Sequence, residues 1–268
     1  MSDRPGRLVL LGHPIRHSLS PLFQNAALRR ARIPMVYEAL DVPPAQLDDV
    51  VSGLITQRAA GNVTIPHKAS IYEMTELRTA VAERVGAVNT FWVADGRLAG
   101  DNTDVAGFTA LVRDTIGSVA KGARLALIGA GGAASAVLAA VEQWPGVRVR
   151  LFSRSAERRS ALAARYADLV EEAGTVEQAV HDATLVINAT PVGMTDDLHP
   201  VPLALLPRRA MVIDLVYRRA GTSWVNGARG RGHIAADGKV MLLAQGAASF
   251  EQWFGVRPDL HAMREALG

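Results

Sequence analysis

The sequence predicts an α/β protein with two domains, each built on a mainly parallel β-sheet covered by helices. Three observations predict this class. Short apolar runs alternate with amphipathic segments of helical period along most of the chain. One segment breaks the alternation and has the pattern of a β-hairpin. With 268 residues, 49% of them hydrophobic, the chain can also bury the cores of two domains.

The elements follow from these patterns in chain order. The short apolar runs predict eight strands, at residues 8–11, 35–42, 62–65, 125–128, 147–152, 184–187, 211–215 and 233–235. Helical period marks residues 20–31, 130–144, 156–167 and 240–254. Ser20 is predicted to be the N-cap of the first of these helices, with Pro21 at its first helical position.

The alternation is interrupted at residues 88–104, "VNTFWVADGRLAGDNTD", which predict two short strands around an Asp95-Gly96 turn. An amphipathic helix follows, so we place the domain boundary near residue 103. The first domain then comprises residues 1–103 and the second residues 104–237. The helical segment 238–268 is predicted to return to the first domain, which would put Gln245 opposite that domain across a cleft.

Composition excludes several classes of function. The chain has no cysteine, so disulfides, zinc–thiolate sites and cysteine nucleophiles are excluded. The net charge of +3 is spread without a basic run, which favours small anionic ligands over nucleic acid. No apolar run approaches the roughly 18 residues of a membrane span, so a cytoplasmic protein is expected. The histidines show no metal-binding spacing, and no metal site is predicted.

A glycine-rich turn follows the strand at residues 125–128. "LALIGAGGAASA" places Gly129, Gly131 and Ala134 in the spacing G-x-G-x-x-A between a strand and a helix. This context is typical of a dinucleotide-binding Rossmann domain, in which the helix N-terminus faces the pyrophosphate. The alternative is a purely structural glycine turn.

The next strand end favours NADP over NAD. NAD sites usually carry an acidic residue there, which bonds the ribose hydroxyls. This chain has Ser153, Arg154 and Ser155, with Arg158 one turn later. Two guanidinium groups and two hydroxyls suit a 2′-phosphate, which a carboxylate would repel. Arg159 is interpreted as a solvated residue of the helix start.

Lys68 stands out among only three lysines, because it follows a strand and the proline Pro66 in "GNVTIPHKA". The carboxyl ends of strands in open α/β sheets are where ligands bind. Taken singly, Lys68 has the ordinary reading of a surface lysine, Asp104 that of a helix-start carboxylate and Asn89 that of a turn amide. Ser18, in "HSLSP", has no such capping role.

Eight motifs in order make the sequence resemble the shikimate dehydrogenase family. They are "GHPIRHSLSP", "NVTIPHK", "GAVNT", "GDNTD", "GAGGA", "INATPVGM", "DLVY" and "ADGKVMLLAQGAASF". The resemblance covers essentially the whole chain. It implies a substrate-binding first domain completed by the C-terminal helices, a Rossmann NADP-binding domain and a cleft between the two.

The resemblance also implies roles for individual residues. Lys68 and Asp104 would be the catalytic pair, and a substrate carboxylate and ring hydroxyls would be held by Ser18, Ser20, Thr64, Lys68, Asn89, Asp104, Tyr217 and Gln245. NADP would contact the glycine loop, the phosphate clamp and the nicotinamide side, namely Gly129, Ala130, Gly131, Gly132, Ala133, Ser153, Arg154, Ser155, Arg158, Asn188, Ala189, Thr190, Leu215, Gly238 and Met241.

The chemistry expected of these residues is the reversible reduction of 3-dehydroshikimate to shikimate by NADPH. Lysine can protonate the carbonyl oxygen, whereas arginine holds its proton too tightly. Arg218-Arg219-Ala220 departs from the family after Tyr217, where relatives often have a proline.

A quinate/shikimate or aminoshikimate dehydrogenase is an alternative within the same fold. Relatives that accept quinate often alter the second serine of the S-x-S-P motif, whereas this chain retains it as Ser20. A non-catalytic NADP sensor is the alternative from another class. The expected partners are small molecules, with no nucleic acid or membrane, and the protein is expected to be a monomer or homodimer.

Overall fold

The computed structural model describes residues 4–268 and divides them into two compact units. One unit contains the chain up to Gly107 together with Leu242–Gly268, and the other is Phe108–Met241. Both divisions lie inside helices. The functional domains predicted from the sequence, 1–103 with 238–268 and 104–237, stay a prediction. The α/β class with two mainly parallel sheets is confirmed.

The first unit contains a six-stranded sheet in the order β2-β1-β3-β5-β6-β4. Its strands are β1 (Arg7–Gly12), β2 (Tyr37–Asp41), β3 (Ala59–Val63), β4 (Leu77–Arg78), β5 (Thr90–Ala94) and β6 (Arg97–Asp101). Three of its neighbouring pairs are parallel, while β5 runs antiparallel to both β3 and β6. The predicted hairpin is confirmed, since Asp95 and Gly96 both have positive φ between β5 and β6.

The helices of the first unit are α1 (Ser20–Arg30), α2 (Leu47–Thr56), α3 (Lys68–Met74), α4 (Ala80–Val85) and α11 (Leu260–Glu265). Two longer helices, α5 (Asp104–Ile116) and α10 (Lys239–Phe254), each contribute residues to both units. Helix α11 packs on α1, where the Arg30 guanidinium lies 2.9 Å from the Asp259 carboxylate. One apolar core packs α2, α3 and α4 against the sheet, with Val9, Leu54 and Phe91 almost fully buried.

The second unit contains a fully parallel sheet in the order β12-β11-β10-β7-β8-β9. Its strands are β7 (Arg124–Ile128), β8 (Arg148–Phe152), β9 (Val170–Glu172), β10 (Leu185–Asn188), β11 (Met211–Asp214) and β12 (Ala235–Ala236). Its shorter helices are α6 (Gly132–Val141), α7 (Ala156–Arg165), α8 (Val176–Val180) and α9 (Ser223–Gly230). When the strands are numbered 1 to 6 along the chain within this unit, they lie in the order 3-2-1-4-5-6 of the Rossmann fold. The order in which successive strands are added reverses between β7 and β10, although all strands stay parallel.

Alternating side chains of the strands in the second unit fill two separate cores. Leu125 and Leu127 belong to one core, whereas Ala126 and Ile128 belong to the other. This alternation is what a parallel sheet covered by helices on both faces requires. It explains why these strands read as continuous apolar runs in the sequence.

Several details differ from the sequence prediction, which assigned no residues to α2, α3, α4, α8 or α9. Helix α1 begins at Ser20 with Leu19 as its N-cap residue, and no side chain caps it. The prediction of Ser20 as N-cap is therefore wrong, and Pro21 takes the second helical position rather than the first. Strand β3 ends at Val63, two residues before the predicted end, because the chain turns through Thr64 and a cis Ile65–Pro66 bond. The short strands β4 and β9 were not predicted, since two or three residues carry no readable period.

Candidate active site

Lys68 is positioned by a turn that leaves β3 and starts α3. The Thr64 carbonyl accepts a hydrogen bond from the His67 amide, and Lys68 is the first residue of the helix. The buried imidazole of His67 is hydrogen-bonded to the Val42 carbonyl at 2.7 Å, which fixes the start of α3 beyond β2. The turn therefore holds Lys68 at the carboxyl edge of the sheet, as the position after β3 indicates.

The Lys68 ammonium group donates to Asp104, with Nζ 2.5 Å from Oδ2. Only 18% of the Lys68 side chain and 7% of the Asp104 side chain are exposed, so solvent screens the pair little. Asp104 is the first residue of α5, where the positive end of the helix dipole favours a carboxylate. The pair therefore joins a cation that can lose a proton to an anion that can orient it.

Asn89 holds the other oxygen of the same carboxylate. Its side-chain oxygen accepts from the Thr103 backbone amide at 2.7 Å, and a backbone N–H can only donate. The Asn89 side-chain nitrogen must therefore face Asp104, where Nδ2 lies 2.8 Å from Oδ1. The same nitrogen lies 3.4 Å from Oε1 of Gln245. The structure thus brings together four of the predicted residues: Lys68, Asp104, Asn89 and Gln245.

A run of buried polar side chains continues behind Asn89, and the sequence did not single it out. The Thr103 hydroxyl contacts both polar atoms of the Asn89 side chain and lies 3.1 Å from Oγ of Ser249. Ser249 accepts from Asn62, which in turn accepts from the Tyr37 hydroxyl, both at 2.8 Å. These residues, which we call the Tyr37–Thr103 network, tie β2, β3 and α10 to the carboxylate. The available signal was a polar residue inside three predicted elements, at Tyr37, Asn62 and Ser249.

Ser18 and Ser20 lie beyond the end of β1, and Thr64 lies beyond the adjacent parallel strand β3. The Ser18 hydroxyl accepts from the Ser20 amide at 3.3 Å, so Ser18 does have a local structural contact. Strands β1 and β3 run side by side, so their carboxyl ends lie at the same edge of the sheet. Tyr217 belongs to the second unit, three residues after β11.

The glycine turn of the second unit follows β7, at the point where the strand order reverses. Gly129 has φ +119°, and a Cβ there would lie 2.7 Å from the Ala189 carbonyl oxygen, so only glycine fits. Gly131 is the N-cap residue of α6, and a Cβ there would meet no atom within 4 Å. Space is therefore left beside the backbone at the start of α6. The backbone N–H groups of the first turn of a helix have no partner within the helix, so they can bind a pyrophosphate placed in this space. Ala130 is half-buried in this turn, Gly132 and Ala133 begin α6, and Ala134 is fully buried.

The end of β8 carries uncompensated positive charge. Ser155 is the N-cap of α7, accepting from the Arg158 amide, while Arg154 and Arg158 are exposed. Within residues 4–268 neither of these two guanidinium groups has a hydrogen bond or an ion pair. The interpretation of Arg159 as solvated is wrong, because its Nε lies 2.8 Å from Glu172 and it also donates to the Ser153 carbonyl. The Arg159 and Ser160 hydrogen bonds hold the pKa of Glu172 below its usual value.

The turn after β10 is organised by one buried carboxylate. Asn188 accepts from the Thr190 amide and hydroxyl, and its own Nδ2 donates to Asp214 at 2.8 Å. Asp214 also accepts from the Val216 amide and from the Thr222 hydroxyl. Burial raises the pKa of Asp214 to about 6, against the opposing effect of these hydrogen bonds.

Two of the remaining predicted cofactor residues, Leu215 and Gly238, are placed near this turn by close backbone contacts. Leu215 follows β11, and its backbone passes so close to Gly238 that a Cβ on Gly238 would lie 2.2 Å from the Leu215 carbonyl oxygen. Met241 is part of the apolar core of the unit.

The loop that departs from the family pattern is fastened by two charged side chains. Arg218 donates to Asp197 at 2.6 Å, and Lys239 donates to the Arg219 carbonyl at 2.8 Å. A proline would restrict the backbone of this loop, whereas here side-chain contacts hold it.

The described residues lack the features of two other kinds of site. Among residues 4–268, no group of three or more histidine or acidic side chains is arranged to hold a metal ion. No helix in the same range has both the length and the apolar character needed to cross a bilayer.

The Rossmann sheet, the glycine turn and the lysine–carboxylate pair together define a dinucleotide-dependent oxidoreductase.

Comparisons with known proteins narrow this class to one family. The shikimate dehydrogenase substrate binding domain matches residues 10–91, and the shikimate 5′-dehydrogenase C-terminal domain matches residues 240–267. A shikimate dehydrogenase (NADP⁺) from Mesorhizobium japonicum is 39% identical over 100% of this chain and 97% of its own length. The chain belongs to the shikimate dehydrogenase family.

Solved structures of the family share the fold over the full chain. Shikimate dehydrogenase from Aquifex aeolicus has a TM-score of 0.90 at 30% identity, covering 100% of this chain and 99% of its own. Shikimate 5-dehydrogenase from Thermus thermophilus, in complex with NADP(H) and shikimate, has a TM-score of 0.87 at 35% identity, covering 97% and 98%. The two-domain Rossmann-type fold predicted from the sequence is therefore confirmed.

Proposed function

We propose that this protein catalyses the reversible reduction of 3-dehydroshikimate to shikimate with NADPH, a step on the route to aromatic amino acids. The observation that carries the proposal is the partly buried Lys68–Asp104 pair, with Nζ 2.5 Å from Oδ2, in a chain of this family. Ketone reduction requires a hydride on carbon and a proton on oxygen. A shielded ammonium group held by a carboxylate is suited to supply that proton.

Lys68 is the proposed proton donor. Its ammonium group protonates the carbonyl oxygen, and its positive charge stabilises the negative charge that develops there. In the reverse direction the neutral amine accepts the proton of the substrate hydroxyl. Asp104 orients the amine and balances its charge, and Asn89 restrains the carboxylate from the other side. NADPH, when bound, supplies the hydride.

The other polar residues at this edge of the first unit are assigned to substrate binding. We propose that Ser18, Ser20 and Tyr217 bind the substrate carboxylate, and that Thr64, Asn89 and Gln245 bind ring hydroxyls. The assignment is supported by the position of Ser18, Ser20 and Thr64 after two adjacent strands. Gln245 donates through Nε2 to the Leu242 carbonyl, which leaves its side-chain oxygen facing Asn89.

NADP is the proposed cofactor, rather than NAD. Support comes from Arg154 and Arg158, which are exposed cations without an acidic partner, next to the hydroxyls of Ser153 and Ser155. Glu172 is paired with Arg159, and Glu157 in the first turn of α7 forms no ion pair with either arginine within residues 4–268. Gly129, Ala130, Gly131, Gly132 and Ala133 are assigned to the pyrophosphate, and Asn188, Ala189, Thr190, Leu215, Gly238 and Met241 to the nicotinamide side.

A side-by-side assay of shikimate and quinate, each with NADP and with NAD, tests this function. We expect the NADPH absorbance band to grow fastest with shikimate and NADP. Faster turnover of quinate would favour a quinate/shikimate dehydrogenase, and the absence of absorbance with every pair would favour a non-catalytic sensor. Aminoshikimate, assayed as a third substrate, tests the remaining alternative, an aminoshikimate dehydrogenase of the same fold.

We further propose that the enzyme acts in the cytoplasm as a monomer or a homodimer, with small molecules as its partners. The net charge of +3, without a basic run along the sequence, supports small-molecule partners rather than nucleic acid. Size-exclusion chromatography with light scattering distinguishes the two assembly states.

A further inference from the structure

We propose that Asp214 is a positioning residue for the nicotinamide side of the cofactor site. It holds the turn of Asn188 and Thr190 in its binding conformation. This inference rests on the proposed function, because that function assigns Asn188 and Thr190 to the cofactor. Asp214 itself would touch neither cofactor nor substrate.

The geometry places Asp214 at a junction of three chain segments. Its Oδ1 accepts from Asn188 Nδ2 at 2.8 Å and from the Val216 amide at 3.1 Å. Its Oδ2 accepts from the Thr222 hydroxyl at 2.8 Å. These donors belong to the end of β10, the loop after β11 and the N-cap of α9. One side chain therefore joins the two strand ends that carry Thr190 and Leu215.

The Asn188 amide passes the effect of Asp214 on to Thr190. Because Asp214 requires a donor, Asn188 must present Nδ2 to it, and Oδ1 is left to face the turn. That oxygen accepts from the Thr190 amide at 2.9 Å and from its hydroxyl at 2.6 Å. The Asn188 amide is therefore held from both sides, with Nδ2 on Asp214 and, at 3.3 Å, on the Val192 carbonyl, and with Oδ1 on Thr190. Asp214 supplies the charged acceptor that anchors this arrangement.

Asp214 is difficult to explain as a stability device. It is fully buried, and no cation is hydrogen-bonded to it in the described part of the chain. Burial of an unpaired carboxylate is unfavourable, and its raised pKa reflects this. A residue that is costly to bury but satisfied by three donors fits a role in positioning.

The affinities of two ligands distinguish a positioning role of Asp214 from a general effect of its substitution on folding. NADPH spans the whole nucleotide site, whereas adenosine 2′,5′-bisphosphate occupies only the adenine and 2′-phosphate end. For Asp214→Ala we expect NADPH affinity to fall about tenfold, since a charged acceptor for Asn188 is lost, while bisphosphate affinity changes less than about twofold. Asp214→Asn retains an oxygen for Asn188 and should restore most of the NADPH affinity.

Asp182→Ala is the matched control. This carboxylate also accepts hydrogen bonds, from Arg150, but it precedes β10 and so lies at the opposite end of that strand. Both ligands should bind this variant as they bind the wild type. If Asp214→Ala does not fold, Thr222→Val removes one donor to the carboxylate and should show the same selective loss, with Thr222→Ser restoring it.

Unchanged NADPH binding in the Asp214→Ala protein would overturn the inference, as would equal weakening of both ligands. Both titrations are followed by fluorescence or calorimetry without substrate. A failure of the proposed function would be seen separately, as absent turnover of shikimate by the wild-type protein.

Discussion

At the scale of single residues, we propose that the preference for NADP over NAD depends on Arg154. For Arg154→Ala we expect NADPH affinity to fall about tenfold to a hundredfold, because a charge-assisted bond to the 2′-phosphate is lost. NADH affinity should stay unchanged, since NADH has no such phosphate. Michaelis constants for NADP and NAD measure the effect.

Arg148→Ala is the control for this substitution. Arg148 begins β8, whereas Arg154 follows the end of the same strand. Arg148→Ala therefore removes the same charge at the opposite end of the strand from the proposed phosphate clamp. Equal losses of NADPH affinity in the two variants would show that bulk charge, not the proposed clamp, attracts the cofactor.

At the same scale, the sequence predicted which residue types act but not all of their contacts. Lys68, Asp104, Asn89 and Gln245 could be assigned through the family motifs, and the structure brings them together. Arg159 could not be separated from Arg154 and Arg158, because its partner Glu172 lies thirteen residues away on β9. Ion pairs of this kind depend on tertiary packing, which local pattern does not encode.

At the scale of elements, two glycines of one turn should fail in different ways. Gly129→Ala places a methyl group against the Ala189 carbonyl at a positive φ, so we expect it to destabilise the protein by about 1–3 kcal/mol. Gly131→Ala meets no protein atom and should leave the melting temperature unchanged while weakening NADPH binding. Thermal melts and NADPH titrations of both variants measure this, and a Gly131→Ala protein with full affinity would contradict the proposed pyrophosphate position.

The Tyr37–Thr103 network gives a second prediction at this scale. Thr103→Val removes the hydroxyl that contacts Asn89 and Ser249, and we expect kcat to fall about threefold to tenfold as Asn89 loosens its hold on Asp104. Thr103→Ser should keep the wild-type rate, and the KM for NADP should not change in either variant.

The control for this network is Thr75→Val, which also removes a buried hydroxyl from the first unit. The Thr75 hydroxyl donates to the Ile71 carbonyl within α3 and makes no contact with Asn89. If both valine variants lost the same activity, the effect would be one of stability and the network would have no role in positioning.

The elements themselves were predicted where the segment was long enough to show a strand or helix pattern. In the second unit, β7, β8, β10 and β11 could be read from their apolar runs and α6 and α7 from their helical period, whereas α8 and α9 were not assigned. Strands β4 and β9 are too short for any period. Ser20 was misassigned as a cap because its type favours capping, yet the helix begins one residue earlier in the backbone geometry.

At the scale of the whole molecule, Asp214 should make stability depend on pH. Its folded-state pKa of about 6 lies above the ordinary 3.8, so the folded protein binds this proton more tightly than the unfolded chain. The stabilisation is therefore complete below about pH 4 and is lost as pH rises through 6, amounting to about 3 kcal/mol.

Urea unfolding of the wild type and of Asp214→Asn from pH 4 to pH 8 measures this contribution. Because the variant lacks the titrating group, the difference between the two unfolding free energies isolates it. We expect the wild type to lose stability relative to the variant across this range. A difference that stays constant with pH would show that Asp214 does not titrate near 6.

The overall architecture was predictable because it follows from local alternation and one glycine turn. Strand order in the second unit follows from the Rossmann connection rules once the turn after β7 is recognised. The mixed pairing of the first unit was less accessible, since only the Asp95-Gly96 turn announced antiparallel strands. Pairings between distant strands leave no mark on either sequence segment.

The central claim is that Lys68 delivers the proton to the substrate. Turnover of 3-dehydroshikimate by Lys68→Ala, with NADPH affinity measured in parallel, tests it most directly. We predict that kcat falls about a thousandfold while NADPH affinity is unchanged, and that Lys121→Ala, in an exposed turn, keeps the wild-type rate. Wild-type turnover by the Lys68→Ala protein would contradict the account.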